Sequence, residues 1–146
     1  RIVSSYHKLV RKTLKSLFYF TIKDEISYYD VLCSALRFYG AVNNDINIKE
    51  FRIYKRYFAE LFIPELLLVI EVQGQQHVTI VERVKNQSEE EVMKIFSAQR
   101  RIDKMKKDFC KQNNIRYLEI FYNEIEDNKK NFKEYLENRI NEVINV

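Results

Sequence analysis

Leu66-Leu67-Leu68-Val69-Ile70-Glu71-Val72-Gln73-Gly74 is the stretch on which the fold turns. Five consecutive aliphatic residues, Leu66 to Ile70, predict a central strand covered on both faces and stopped by Gly74. Charges are seldom buried at the end of such a strand unless something pairs with them. Side chains alternate along a strand, so Glu71 and Gln73 share a face. Pro64-Glu65 marks a turn, and the segment before it carries Glu60 between Ala59 and Leu61. If the two segments pair around that turn, Glu60 falls level with Ile70 and Glu71.

Working outward, β-branched and aromatic residues from Ile46 to Ile63 predict strands. Upstream, Val3, Tyr6, Val10, Leu14 and Leu17 have helical spacing, with Lys8, Arg11, Lys12 and Lys15 on part of the opposite surface. Thr21 with Asp24 resembles an N-cap box, predicting a second helix through Ile26, Tyr29, Cys33 and Leu36 that ends near Gly40. Downstream, Ser88 with Glu91 forms a capping box for a helix that puts Ile95, Ala98, Ile102, Met105 and Phe109 on one face. Asn113-Asn114 ends it, Ile115 to Tyr122 reads as a strand, and a last helix from about Asn128 buries Phe132, Leu136, Ile140 and Val143. The expected architecture is α/β, a small mixed sheet flanked by helices, with the last strand reached by a helical crossover.

The 146 residues fit one domain, a basic N-terminal helix over 1–20 followed by a core over 21–146. The chain begins at Arg1 rather than Met, as a fragment of a longer protein with further domains would. Two cysteines, Cys33 and Cys110, with no Cys/His cluster argue against zinc and fit a reduced, intracellular setting. The longest apolar run is too short to cross a membrane, and no signal peptide is visible. A net charge of +4 agrees with a polyanionic partner but carries little weight alone. Its distribution says more, because His7 to Lys15 has four cations and no acid, and Arg100 to Lys111 has six cations against two Asp.

Two carboxylates beside an amide at a strand end suit a hard cation that prefers oxygen ligands, such as Mg²⁺. Such an ion lowers the pKa of bound water and offsets charge on a phosphoryl group. The competing reading is a carboxylate pair bridged to Arg or Lys for purely structural reasons.

The segments Phe62-Ile63-Pro64-Glu65-Leu66 and Ile70-Glu71-Val72-Gln73-Gly74-Gln75-Gln76-His77 resemble a motif of small phage and large-virus nucleases. Those belong with the very-short-patch-repair and certain homing endonucleases in the PD-(D/E)XK, or restriction-endonuclease-like, superfamily. Asp103, Lys106 and Cys110 match that group's following helix, Leu118 to Tyr122 its next strand, and Thr21 with Glu25 its first helix. The resemblance implies a restriction-endonuclease-like layered fold and a Mg²⁺- or Mn²⁺-dependent endonuclease, acting on DNA in preference to RNA. It places Glu60 at the first metal-binding acid and Glu71 at the second. Gln73 stands where the subgroup has Asp and the wider superfamily has Lys; an amide there can only orient the attacking water. His77 becomes an acid/base or phosphate contact. Asp103 aligns His77 or adds a carboxylate, Lys106 meets a phosphate, and Glu25 extends the metal site through a water.

Each assignment has a plainer rival. Glu25 suits the first turn of a helix, His77 suits a strand-end surface, and Asp103 with Lys106 suits a solvated helix face. Nucleic-acid phosphates would be held by Arg100, Lys104, Lys106 and Lys107, and by Lys8, Arg11, Lys12 and Lys15, giving affinity and salt dependence but little sequence information. A degenerate nuclease that only binds nucleic acid, and an interaction module with structural carboxylates, are the alternative functions.

Overall fold

The computed structural model describes residues 4–39, 48–73 and 88–145. Four strands form one mixed sheet in the order β1-β2-β3-β4: β1 is Lys23–Ser27, β2 Phe58–Ile63, β3 Leu68–Gln73 and β4 Arg116–Phe121. β1–β2 and β2–β3 are antiparallel, while β3–β4 is parallel. Helix α3 (Glu89–Gln112) lies between β3 and β4 in the chain, as a parallel pair requires of its crossover. The remaining helices are α1 (Ser5–Leu17), α2 (Tyr28–Tyr39), α4 (Tyr122–Asp127) and α5 (Phe132–Ile144).

The pleat of β3 sorts its residues. Leu68, Ile70 and Val72 face α1 and α5, where Val10, Leu14, Phe132, Leu136 and Ile140 complete an aliphatic layer. On the other side, Val69 joins Tyr28, Val31, Leu32, Phe62, Phe109 and Cys110 from β2, α2 and the C-terminal end of α3. The sheet is thus sandwiched between helical layers, and Glu71 and Gln73 point into the second one.

Three local expectations need correction. Thr21 caps no helix: its N–H donates to Glu65 Oε2, and Lys23–Ser27 pairs with β2 as a strand. The helix begins five residues after Lys23, at Tyr28, where Ser27 Oγ accepts the Asp30 N–H at 3.1 Å; Ser27-x-x-Asp30 is the working cap. Second, Ile48–Arg56 is a 3-10 helix, and the strand starts only at Phe58. Side chains three apart eclipse on a 3-10 helix. Phe51 and Tyr54, with Tyr57 beyond, therefore form one inward aromatic row that resembles a strand in composition. Third, Leu66 and Leu67 belong to the turn: Pro64–Leu66 is a single 3-10 turn, and Leu67 adopts the left-handed conformation at φ 48°. The Leu67 carbonyl then accepts Arg116 N–H at 2.8 Å, which ties the reversal to the start of β4.

At α3, Ser88 accepts the Glu91 N–H as its cap, and Asn113 ends the helix before Asn114 at φ 55°. Its expected apolar face is buried only toward the C-terminus: Phe109 is covered, whereas Ile95 is exposed among the described residues. Among the described residues no helix is long and apolar enough to cross a membrane.

Candidate functional site

The β2–β3 ladder pairs Leu61 with Ile70, so the same register sets Glu60 opposite Glu71. There the two strands stop exchanging only backbone hydrogen bonds. Glu60 Oε2 accepts the Val72 N–H at 3.3 Å, and the Glu60 backbone helps hold down the Glu71 carboxyl. On the far side of Glu60, β1 skips a pair at Glu25, which sits at φ 50° between the Asp24–Leu61 and Ile26–Ala59 partners. Glu25 is therefore a strand residue at the level of Glu60, and the helix-first-turn role falls away.

Glu71 is almost fully buried. Its Oε1 accepts the Tyr28 hydroxyl at 2.7 Å, and Lys106 Nζ lies 3.8 Å from the same oxygen. Lys106 reaches it from α3, donates to the Phe58 carbonyl at 3.0 Å, and rests 5.6 Å over the Tyr28 ring. Burial raises the Glu71 carboxyl to about 7, against the opposing pull of the Lys106 ammonium and the Tyr28 hydroxyl; the Glu60 charge pushes it further up. Desolvation and the neighbouring Glu71 likewise raise the Tyr28 phenol. Tyr28 thus remains a donor at neutral pH.

Glu60 belongs to a second cluster. His7, on α1, has Nδ1 3.2 Å from Glu60 Oε2 and Nε2 2.9 Å from Asp24 Oδ1. A neutral imidazole donates through one nitrogen only, so serving both carboxylates calls for the imidazolium. In agreement, the Glu60 hydrogen bond raises the His7 pKa; burial opposes this and Asp24 reinforces it. Arg11 Nη1 adds a 3.3 Å contact to Asp24 Oδ2.

Gln73 shares the Glu71 face but turns toward β4, its Nε2 3.4 Å from Glu119 Oε2, a long and weak bond. Glu119 lies directly beside Glu71 in the parallel register. Asp103 is half-buried, accepts from Gln99 Nε2 at 3.0 Å, and lies one helical turn before Lys106. Burial, then the charges of Glu119, Glu71, Cys110 and Asp103, raise the Tyr117 phenol. The Tyr117 hydroxyl is buried with no hydrogen-bond partner among the described residues.

The structure thus brings Glu60, Glu71, Lys106 and Gln73 to one end of the sheet, with Asp103 alongside. His77 lies outside the described residues. Arg100, Lys104 and Lys107 are exposed on α3, and Lys8, Lys12 and Lys15 are exposed on α1, while Arg11 is taken up by Asp24. Three site residues escaped the sequence reading. His7 shares a helical stripe with Val10 and Leu14, where a lone polar residue signals a buried partner. Glu119 repeats the Glu71 pattern, an acid between two aliphatic residues of a strand. Tyr28 carried no signal, because its role depends on where α2 begins.

Two carboxylates suit a hard cation: among the described residues Glu60 bonds through Oε2, and the raised Glu71 pKa marks an anion lacking full compensation. Among the described residues, no three His, Cys, Asp or Glu side chains converge to hold a metal ion by themselves. Water or substrate oxygens would have to complete the shell, as they commonly do for Mg²⁺. No protein-family model, curated protein or solved structure matches this chain.

Proposed function

We propose that this chain is a metal-dependent endonuclease with a restriction-endonuclease-like fold, hydrolysing nucleic-acid phosphodiesters, DNA in preference to RNA. The observation that carries the reading is the meeting of Glu60 and Glu71 where the β2–β3 ladder opens, with Lys106 beside the buried acid. Glu60 and Glu71 would hold Mg²⁺ or Mn²⁺, which supplies Lewis acidity and a more acidic bound water.

The chain's own residues divide the remaining work. Tyr28 fixes one Glu71 oxygen, and His7 fixes one Glu60 oxygen, so each carboxylate presents its other oxygen in a set direction. Among the described residues, Lys106 is the cation beside Glu71. It occupies from α3 the role that the superfamily gives to a strand lysine two residues after the acid, where Gln73 stands in this chain. Its ammonium can offset charge developing on a phosphoryl oxygen. Gln73 has an amide that can orient water but no basic site to take its proton. Glu25, level with Glu60 on β1, supports the open end of the ladder, and Asp103 adds negative charge behind Lys106. His77 keeps the acid/base role that the sequence resemblance implies.

The test is cleavage of supercoiled plasmid, single-stranded DNA and RNA with Mg²⁺, Mn²⁺ or EDTA, using wild type and Glu71→Gln. Metal-dependent cutting lost in the variant is expected. A binding-only domain is the second reading, favoured by Gln73, which stands where the resembling nucleases have an acid or a lysine. Salt-sensitive binding with no cutting of any substrate would establish it instead.

A further inference from the structure

The 3-10 helix Ile48–Arg56 carries Lys49, Arg52, Lys55 and Arg56 against one acid, Glu50. Three residues per turn give it straight rows of side chains. The inward row is aromatic: the Tyr54 ring lies 4.5 Å from that of Phe109, and the Phe51 ring 6.2 Å from it. A second row, Lys49, Arg52 and Lys55, is exposed, with successive cations about 6 Å apart along the axis. Lys55 is braced over the Tyr29 ring at 4.8 Å. The 3-10 form aligns Lys49, Arg52 and Lys55 in one ridge, with Arg56 on the next row a third of a turn round.

The ridge leads to the site. Arg56 is two residues before Phe58, whose carbonyl receives Lys106, the partner of Glu71. A shallow groove beside Tyr54 is lined from α3 by Arg101 and Lys104, with Asp108 the one acid among the lining residues. The cations of α1 are placed otherwise. They belong to the layer on the opposite sheet face, Arg11 is engaged by Asp24, and Lys15 stands about 12 Å along the axis from His7.

We propose that the exposed cations of this 3-10 helix, Arg52, Lys55 and Arg56, together with Arg101 and Lys104 of α3, hold the sugar-phosphate backbone of the nucleic acid. This rests on the nuclease reading and assigns its substrate track to the 3-10 helix instead of α1. The experiment is fluorescence anisotropy with a labelled DNA duplex in EDTA, over a range of salt, on the full chain. Wild type is compared with Arg52→Ala/Lys55→Ala/Arg56→Ala and with Lys8→Ala/Lys12→Ala/Lys15→Ala. Each lost phosphate contact lowers the slope of log affinity against log salt by about 0.9. The 3-10 variant should therefore lose about 2 to 3 in slope, the α1 variant should match wild type, and Arg52→Lys/Arg56→Lys should retain the wild-type slope. A 3-10 variant with the wild-type slope overturns the assignment, whether or not the α1 variant is affected. If wild type cuts DNA while the 3-10 variant keeps its slope, only this inference falls. If wild type neither binds nor cuts, the nuclease reading falls with it.

Discussion

The face of the sheet turned toward α1 and α5 and the face turned toward α2 and α3 are made by the same strands from different materials. On the first, Leu61, Ile63, Leu68, Ile70, Leu118 and Ile120 meet Val10, Leu14, Leu136 and Ile140, with His7 of α1 the buried polar side chain at the Glu60 end. On the second, aliphatic residues are mixed with an aromatic group around Tyr28 and Phe109, and at one end Glu71, Lys106 and Tyr28 are set into it. Burying an ion pair offsets desolvation poorly, and a packed hydrocarbon pair is often as stable or more so. The first face therefore supplies stability, and the second gives some of it up to hold charge where a cation and a phosphate can meet.

The largest effect should come from Glu71. Glu71→Gln keeps the shape and the Tyr28 contact but removes the anion; metal-dependent cleavage should fall at least ~10³-fold, beyond what one oxyanion-hole donor contributes. Retained cleavage would detach the chemistry from this face. Next, Lys106→Met should lower cleavage by roughly 10²-fold if the ammonium offsets phosphoryl charge, with duplex affinity in EDTA reduced far less. A loss confined to affinity would return Lys106 to an ordinary phosphate contact. On the opposite face, Leu136→Ala should cost about 2–5 kcal/mol of stability by urea denaturation, while folded protein keeps its turnover. Loss of turnover in fully folded protein would mean the faces are not separable.

The smallest effect is on pH. Burial raises Glu71 from 4.5 to about 7, and the Glu60 hydrogen bond raises His7 above 6.5. Both groups bind protons more tightly folded than unfolded, so both add stability at low pH that is lost as pH rises through the folded values. Without divalent cation, the urea midpoint should therefore drop, the Glu71 share between about pH 4.5 and 7 and the His7 share above pH 6.5. His7→Gln should shrink the drop, and saturating Mg²⁺ should abolish the Glu71 share. A midpoint that rises over that window would contradict the burial of an under-compensated acid.

The central strand was legible because a run of aliphatic residues ending in an acid has few other readings. The pairing of Glu60 with Glu71 followed from Pro64-Glu65, since an antiparallel hairpin fixes its register at the turn. β1 was misread because Lys23–Ser27 has helical-looking neighbours, and its strand state comes from pairing with β2, a tertiary effect. The 3-10 helix was misread because its aromatic content suits a strand equally well. Lys106 was found as a cation but assigned to phosphate; its reach to Glu71 depends on how α3 crosses the sheet. His7 and Tyr28 depend on contacts across 53 and 43 residues of chain, which no local pattern encodes.

The most direct measurement is calorimetric titration of Mn²⁺ into wild type, Glu60→Gln and Glu71→Gln at pH 8, where Glu71 is ionised in the wild type. One cation held jointly predicts saturable binding in wild type and at least about tenfold weaker affinity in each variant. Unchanged affinity in both variants, or no binding in wild type, would contradict a cation centre at the open end of β2 and β3.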